Sequence, residues 1–330
     1  MMRYRKFGNT DLNVSEIGFG AWAIGGGAMI GNTSIGWGDV DDTVSKQAIH
    51  AAIDAGINFF DTADIYGLGH SEEIIGDTVG NNVNVLVATK VGNVARQDQF
   101  TADYSAAHIV SACERSLKRL KRERIDYYQL HSARMSHLQG RECIDAMHQL
   151  VGKGKIRYWG LSLNTFDPMP EAEYLIQNNW GNGFQLVLNI LNQRALSLLE
   201  KAESKGYGII ARMPLQFGLL TGKFNANSIF VSNDHRRGRL TKEVILSSTE
   251  ALAPVWKLCN KYHLTKTELA LSYVLSYPQV STVIPGIRTP QHVAQNTINL
   301  RILDDEDVKM IEGLAKNKFV PVMEMIERQG

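Results

Sequence analysis

The sequence predicts a (β/α)8 barrel, the TIM-barrel architecture, with an N-terminal β-hairpin in front of it. The chain has 330 residues, of which 44% are hydrophobic and 21% are charged, and this suits one large α/β domain with a sizeable core. Eight short apolar runs alternate with segments of helical period. Polar side chains able to carry out chemistry fall at the ends of these runs. We therefore expect residues 1–330 to form a single barrel domain with its site at the carboxyl ends of the strands.

The eight apolar runs have the length and pattern of parallel strands that are covered on both sides. Between the third and fourth runs, apolar residues recur at helical spacing from Ile109 to Leu120. Asp42 or Thr43 is the expected N-cap of the first barrel helix. The predicted strands are Ile17–Trp22, Asn58–Asp61, Val85–Lys90, Ile125–His131, Tyr158–Ser162, Phe184–Leu188, Gly208–Arg212 and Thr282–Ile284.

The hairpin and two long loops are further predicted features of the barrel. The segments YRKF and VSEIGFG are typical of strands, with a turn around Gly8–Asp11, and the hairpin they form would plug the barrel bottom. Long loops after strand 1 (Gly25–Gly38) and after strand 7 (Pro214 to about Leu246) exceed simple connections. Because both follow strands, both are expected on the same face as the site.

Composition narrows the classes of partner. The 35 Lys and Arg residues balance 34 Asp and Glu residues, which gives no indication of nucleic acid or an anionic membrane as a partner. The three cysteines, Cys113, Cys143 and Cys259, lack zinc-type spacing and are interpreted as reduced thiols. No signal-peptide or membrane-spanning run is present, so we expect a soluble cytoplasmic protein. The sequence carries no prediction of oligomeric state.

Four residues at the ends of neighbouring strands form the candidate catalytic set. Lys90 ends an apolar strand, and a buried ammonium needs a carboxylate partner, for which Asp61 is the obvious candidate. An ammonium near Tyr66 would stabilise its phenolate and let the phenol act as a proton donor. His131 could polarise a substrate carbonyl, bind a metal or be a buried core histidine, but no metal-ligand spacing accompanies it. The alternative for Lys90 and Asp61 is a purely structural ion pair, and the alternative for Tyr66 is a packing residue.

Several motifs in register resemble the aldo-keto reductase superfamily, from the hairpin to about Asn299. They are INFFDTADIYGLGHSEEIIG, VATK, IDYYQLH, GKIRYWGLS, PLQFGLLTGKF and VIPGIRTPQHVAQN. The last motif, with DHRRGRL before it, is most similar to the general bacterial and plant branch. The resemblance implies an NADP(H)-dependent oxidoreductase that interconverts an aldehyde or ketone and an alcohol. It makes Tyr66 the general acid and base, with Lys90 and Asp61 tuning its acidity and His131 orienting the carbonyl.

The resemblance also implies a cofactor site made from loops at the barrel rim, and no GxGxxG opens a helix here. Ser162, Gln185 and Arg212 would lie at the nicotinamide, where many relatives have an aromatic residue in place of Arg212. A guanidinium can stack on such a ring, and the alternative is a rim salt bridge. The remaining implied cofactor residues are Leu215, Gly218, Leu219 and Thr221 at the pyrophosphate, and Pro285, Gly286, Arg288, Gln295 and Asn296 at the adenosine end.

Departures from the family pattern bear on cofactor choice. Many relatives have Asn directly after Ser162, whereas here Leu163 follows and Asn164 comes one place later. At two later positions many relatives have Lys and Arg, whereas this chain has Gly286 and His292. Arg288 is therefore the best available partner for a 2′-phosphate. The loop segment 234–237 is expected either to clamp the cofactor or to be a solvated charged loop.

The predicted partner is a small-molecule carbonyl substrate in an apolar pocket. Trp22 and Trp37 flank the first long loop and could line this pocket beside Tyr66, although Trp22 could equally belong to the core. The alternative function is that of a cofactor-binding regulatory subunit, since some relatives act mainly on ion channels. A metal-dependent barrel enzyme is the third possibility, and no metal-ligand spacing supports it.

Overall fold

Eight parallel strands form one sheet in the computed structural model, which describes residues 2–31 and 33–329. Met1, Asn32 and Gly330, which belong to the predicted domain, lie outside the described residues. Numbered in chain order, the strands are β1 (Phe19–Gly20), β2 (Phe59–Asp61), β3 (Leu86–Val91), β4 (Ile125–His131), β5 (Ile156–Ser162), β6 (Gly183–Val187), β7 (Gly208–Arg212) and β8 (Thr282–Ile284).

The sheet closes into a barrel. Each strand pairs with its neighbours in chain order, and parallel bridges Ile17–Val283 and Gly20–Gly286 join the two edges. The amide of Gly18 donates to the carbonyl of Val283 at 2.8 Å. The predicted (β/α)8 fold is therefore confirmed.

All eight strands begin and end within two residues of the predicted bounds, and β1, which is two residues shorter at each end, differs most. After Gly20 the chain turns into a 3-10 helix, Ala21–Gly25, so Trp22 lies beyond the strand. A Cβ atom on Gly20 would come within 2.7 Å of the carbonyl oxygen of Pro285, which explains the glycine at this edge contact. Close approach of two backbones, which the apolar pattern does not report, ends β1 early.

Eight helices follow the strands around the barrel. They are α1 (Asp42–Asp54), α2 (His70–Val79), α3 (Ala106–Leu120), α4 (Glu142–Gly152), α5 (Met169–Asn178), α6 (Leu196–Ser204), α7 (Lys266–Leu275) and α8 (Pro290–Thr297). Other described helices are Met135–Gln139, Arg236–Arg239, Lys242–Trp256, Leu258–Tyr262, Asp305–Ala315 and Val320–Arg328. None of the helices described combines the length and hydropathy that a membrane span requires.

The N-cap predicted for α1 was wrong by one residue. Asp41 caps the helix, and its side chain accepts from the amides of Thr43 at 2.7 Å and Val44 at 3.3 Å. Asp41 has extended backbone angles, as an N-cap must, whereas Asp42 is already helical. With three candidate cap residues in a row, sequence alone does not separate them.

The N-terminal hairpin fills the bottom of the barrel, as predicted. Its strands Tyr4–Lys6 and Asn13–Ser15 pair antiparallel, and Phe7 packs against the ring of Tyr127 at 4.9 Å. Cβ atoms added to Gly183 or Gly208 would lie 2.6 Å from Phe7. Glycines on β6 and β7 therefore make the space that the plugging ring occupies.

The long loops lie at the end of the barrel opposite the hairpin. The loop after β1 contains the antiparallel pair Met29–Ile30 and Thr33–Ser34. The loop after β7 ends at Thr241, which caps the helix Lys242–Trp256, so the predicted end at Leu246 was too late. A hairpin after β3, Asn93–Arg96 with Gln99–Ala102, was not predicted.

Candidate active site

The four predicted catalytic residues meet at the carboxyl end of the barrel. Lys90 is fully buried, and its Nζ donates to Oδ2 of Asp61 at 2.6 Å. The same Nζ lies 3.3 Å from the hydroxyl of Tyr66 and 4.8 Å from the centroid of its ring. The ring of His131 meets that of Tyr66 edge to face at 6.0 Å. A carboxylate, an ammonium, a phenol and an imidazole thus come together from β2, β3 and β4.

A tight turn after β2 holds Tyr66 in place. Gly67 has φ 59°, and a Cβ atom there would come within 2.1 Å of the carbonyl oxygen of Gly25. Only glycine allows this approach in a left-handed conformation. The hydroxyl of Ser71 donates to the carbonyl of Ala21 at 2.9 Å and fastens α2 to the same segment. The first loop therefore supports the turn that presents Tyr66.

Two glutamines complete the surroundings of Asp61. Its Oδ1 accepts from Nε2 of Gln129 at 3.0 Å and from Nε2 of Gln185 at 2.7 Å. With Lys90 on Oδ2, the carboxylate has donors on both oxygens, which is what a buried charge requires. Gln129 was missed by the sequence analysis, and the available signal was a glutamine inside the apolar strand IDYYQLH.

The electrostatics assign charge to Lys90 and neutrality to His131. Burial would lower the pKa of Lys90, but the negative charge of Asp61 and the contact with Tyr66 outweigh it, so the pKa is raised. Burial, followed by the charges of Lys90 and Arg212, holds the pKa of His131 well below its usual value. The imidazole is therefore neutral near pH 7, and its Nδ1 is buried with no hydrogen-bond partner.

Arg212, at the end of β7, lies on the same rim. It donates to the carbonyl of Leu163 at 3.0 Å and to the hydroxyl of Thr165 at 3.1 Å, while its Nε is buried without a partner. Ser162 is buried at the end of β5. Oδ1 of Asn164 accepts from the amides of the next turn at 2.9 Å, so this side chain caps a turn.

The other predicted cofactor residues lie in two adjoining segments. Leu215, Gly218, Leu219 and Thr221 belong to or flank the 3-10 helix Gln216–Thr221. Pro285, Gly286 and Arg288 follow β8, and on α8 Gln295 is exposed whereas Asn296 is buried. Arg288 donates to the backbone carbonyls of Trp37, at 3.4 Å, and of Asp39.

An aromatic cluster covers Tyr66, and we define it as Trp22, Trp37, Phe217 and His235. Trp22 stacks on Tyr66 at 5.8 Å, and the ring of His235 lies 4.6 Å from both tryptophans. Burial lowers the pKa of His235 to about 4, so this ring is also neutral near pH 7. Of the two predicted substrate residues, Trp22 therefore contacts Tyr66, and Trp37 contacts Trp22 at 5.6 Å.

The loop segment 234–237 is only partly solvated. Arg236 pairs with Asp234 at 2.5 Å and lies over the ring of Trp37 at 4.8 Å. Arg237 is exposed. Trp37 and Asp234 also form a backbone bridge, which joins the loop after β7 to the loop after β1.

Comparison with known proteins decides the family. The model of the aldo/keto reductase family matches residues 16–316. The chain belongs to the aldo/keto reductase family. It is accordingly an oxidoreductase of a family that uses nicotinamide cofactors. The match takes in all eight strands of the barrel and every residue of the candidate site.

Relatives of this chain have names that indicate different functions. An uncharacterized oxidoreductase of Bacillus subtilis, YqkF, is 31% identical over 96% of this chain and 97% of its own. An NADH-specific methylglyoxal reductase of Escherichia coli is 30% identical over 96% and 99%. A probable voltage-gated potassium channel subunit beta of Arabidopsis thaliana is 28% identical over 89% and 90%. The solved glycerol dehydrogenase of Gluconobacter oxydans is 29% identical over 96% of each chain, with a TM-score of 0.79.

The residues at the rim fit the nicotinamide cofactor of an aldo/keto reductase. Nδ1 of His131 and Nε of Arg212 are buried polar atoms without partners, and such atoms call for a ligand or water. A buried guanidinium nitrogen suits a carbonyl or phosphate oxygen of such a cofactor. Within residues 2–31 and 33–329, no cluster of side chains is arranged to hold a metal ion.

Asp64, two residues before Tyr66, predicts a pH dependence of stability. Burial, and then the charge of Glu72, raise its pKa to about 8. The unfolded chain loses this proton near pH 4, so the free energy of unfolding falls as the pH rises from about 4 to about 8. Asp64→Asn removes this ionisation and is expected to stabilise the protein by about 1–3 kcal/mol above pH 8.

Urea unfolding of wild type and Asp64→Asn at about pH 5 and about pH 8.5 measures this difference. The stabilisation by Asp64→Asn should be clearly larger at the higher pH, because the wild type then carries a buried, ionised Asp64. An equal effect at both values would contradict the raised pKa of Asp64.

Proposed function

We propose that this aldo/keto reductase reduces an aldehyde or ketone with NADP(H), and that Tyr66 donates the proton. One observation carries the proposal. The Tyr66 hydroxyl lies 3.3 Å from the ammonium of Lys90, which is itself buried and paired with Asp61. A phenol beside a fixed positive charge can release its proton to a developing alkoxide. The same tyrosine takes the proton back in alcohol oxidation.

Tyr66, Lys90 and Asp61 have separate roles in proton transfer. Bound reduced nicotinamide would supply a hydride to the carbonyl carbon. Tyr66 passes its proton to the carbonyl oxygen, and the ammonium of Lys90 stabilises the phenolate that remains. Asp61 balances the charge of Lys90, because an unpaired ammonium with no exposed surface would be too costly.

His131 acts on the carbonyl oxygen in this proposal. Its neutral imidazole can donate one hydrogen bond to that oxygen and hold the carbonyl beside Tyr66. Its pKa is far below the usual value, so it adds no positive charge next to Lys90. The proposed role is orientation, and Tyr66 remains the proton donor.

Cofactor placement rests on the family resemblance together with local contacts. Gln185 is tied to Asp61, which supports a fixed nicotinamide contact, and Ser162 and Arg212 lie on the same rim. The segments 215–221 and 285–296 would take the pyrophosphate and the adenosine end. Preference for NADP(H) rests on Arg288, whose guanidinium is held by the first loop.

Arg288→Ala is expected to weaken NADPH binding by about 10- to 100-fold, because a charge-assisted hydrogen bond is lost. NADH lacks the 2′-phosphate, so its affinity should fall much less. Titrating both cofactors by quenching of protein fluorescence gives the two dissociation constants. The NADH titration also controls for loosening of the loop that Arg288 holds. Equal losses for both cofactors would remove the assignment of Arg288 to the 2′-phosphate.

A regulatory role is the second candidate, because one relative is a probable potassium channel subunit. The connected Asp61, Tyr66, Lys90 and His131 favour an enzyme instead. Following NADPH oxidation with a panel of aldehydes and ketones separates the two. Turnover on any carbonyl supports the reductase, whereas cofactor binding without turnover supports the regulatory subunit.

We also infer that the chain forms one barrel domain of a cytoplasmic protein. The hairpin packs inside the barrel bottom, and helices beyond α8 pack on its outside, which supports a single domain. The three cysteines are all free thiols, which supports a reducing location.

A further inference from the structure

We propose that an open pocket beside α3 binds a small oxyanion, a phosphate ester or a carboxylate, with Arg115 as its charged contact. The pocket has a volume of about 630 Å³ and lies between α3, the turn after β2 and the hairpin after β3. A volume of this size is typical of sites for small molecules. Of the residues that the structure describes, none from the barrel strands, the aromatic cluster or the proposed cofactor site lines it. The inference is therefore independent of the proposed reductase function.

One face of α3 forms a wall of the pocket. Side chains three or four residues apart share a helical face, and on α3 those that line the pocket include His108, Ser111, Arg115 and Arg119. Ala107, in the first turn, lines it as well, and the amino end of a helix carries partial positive charge. The turn after β2 forms another wall, with Asp64, Ile65 and Leu68.

Two carboxylates around the pocket are already paired with arginines. Asp103 pairs with Arg96 at 2.5 Å and accepts from the hydroxyl of Ser105 at 2.7 Å. Glu72, behind the lining residues, pairs with Arg119 at 2.6 Å. Each of these pairs is neutral as a whole, so neither attracts a charged ligand strongly.

Arg115 is left as a positive charge without a counter-ion. Its side chain is exposed, and no residue within 2–31 and 33–329 forms a hydrogen bond or ion pair with it. Burial, and then the charge of Glu72, raise the pKa of Asp64 to about 8, so this carboxyl is mostly neutral near pH 7 and does not repel an anion. The pocket therefore has an excess of positive charge, which favours an oxyanion over a cation.

Unpaired polar atoms on the pocket residues point to the same kind of ligand. Oδ1 of Asp64 and Nε2 of His108 are buried without a partner. Burial is the main cause of the raised pKa of Asp64 and of the lowered pKa of His108, and the charge of Arg115 acts on both groups. The three side chains are therefore near one another.

These three groups have the chemistry that an oxyanion needs. A protonated carboxyl and a neutral imidazole can each donate a hydrogen bond, and a guanidinium binds two oxygens of a carboxylate or phosphate. Buried polar atoms are rarely left unpaired, so Asp64 and His108 call for a partner that Arg115 also attracts.

Equilibrium dialysis with radiolabelled inorganic phosphate, at fixed ionic strength and near neutral pH, tests the site. Saturating NADP+ is added so that the cofactor rim is occupied. Wild type should bind phosphate, and Arg115→Gln should weaken binding by about tenfold or more, because a charge-assisted hydrogen bond is lost. Lys118→Gln is the matched control, since it removes the same charge from an exposed position of α3 outside the pocket, and it should keep the affinity.

Competition with a glycerol phosphate and with malonate separates the two sources of the oxyanion. Stronger displacement by the glycerol phosphate identifies a phosphate ester as the ligand, and stronger displacement by malonate identifies a carboxylate. Displacement by neither would mean that the site holds inorganic phosphate only, which overturns the proposal of an organic ligand.

The wild-type result decides the matter even if a variant does not fold. Phosphate binding that disappears when NADP+ is added would place the ion at the cofactor rim and overturn the inference. Equal losses in Arg115→Gln and Lys118→Gln would also overturn it, because binding would then follow net charge alone. Phosphate binding at this pocket in a protein that reduces no carbonyl would leave the inference standing and refute only the proposed function.

Discussion

Replacing Tyr66 with phenylalanine is expected to lower kcat by about 10²- to 10⁴-fold, because the change removes the proton donor and keeps the ring. The stacking of this ring on Trp22 depends on shape, so the aromatic cluster should persist. Cofactor affinity should stay nearly unchanged, since the hydroxyl contacts Lys90 within the protein. Steady-state kinetics with the best carbonyl of the panel, together with a fluorescence titration of NADPH, measure both quantities.

Tyr4→Phe provides the matched control for this experiment. Its hydroxyl donates to the carbonyl of Gly56 at the surface, far along the chain from the site, so the same atom is removed without effect on turnover. Near wild-type kcat in Tyr66→Phe would take the proton-donor role away from this residue.

Lys90→Met should affect both catalysis and stability. Without the ammonium, the phenolate of Tyr66 loses its stabilising charge, and kcat is expected to fall by about 10²- to 10⁴-fold. Asp61 would become an unpaired buried carboxylate, which costs about 3–5 kcal/mol in the free energy of unfolding. Kinetics and urea unfolding on the same preparation test the two effects together.

A double variant separates the two roles of the pair. In Asp61→Leu with Lys90→Met, no buried charge is left, so the protein should be more stable than Lys90→Met alone. Activity should remain as low as in the single variant. The amides of Gln129 and Gln185 lose their acceptor, so stability is not expected to recover fully. A double variant as unstable as the single one would contradict the ion-pair account.

Much of the site could be predicted because barrel geometry brings strand ends together. Lys90 and His131 end apolar strands in the sequence, and a closed parallel sheet leaves such residues on one rim. Eight apolar runs of strand length, each followed by a helical pattern, were enough for the barrel itself.

The features that the sequence did not predict depend mostly on contacts between residues far apart in the chain. Gln129 and Gln185 lie on different strands and both donate to Asp61. No local sequence pattern predicts that they share this acceptor. His235 enters the aromatic cluster because the loop after β7 docks on Gly36 of the first loop. The short hairpin Asn93–Arg96 with Gln99–Ala102 lacks the alternation of a half-buried pair, since most of its side chains are exposed.

The most direct test of the reductase account is deuterium transfer from NADPH labelled at the nicotinamide C4 position. The protein is incubated with the labelled cofactor and the best carbonyl of the panel, and the alcohol is analysed by mass spectrometry. The account predicts one deuterium on the former carbonyl carbon with wild type and almost none with Tyr66→Phe. Cofactor that binds tightly yet transfers no deuterium to any carbonyl of the panel would contradict it.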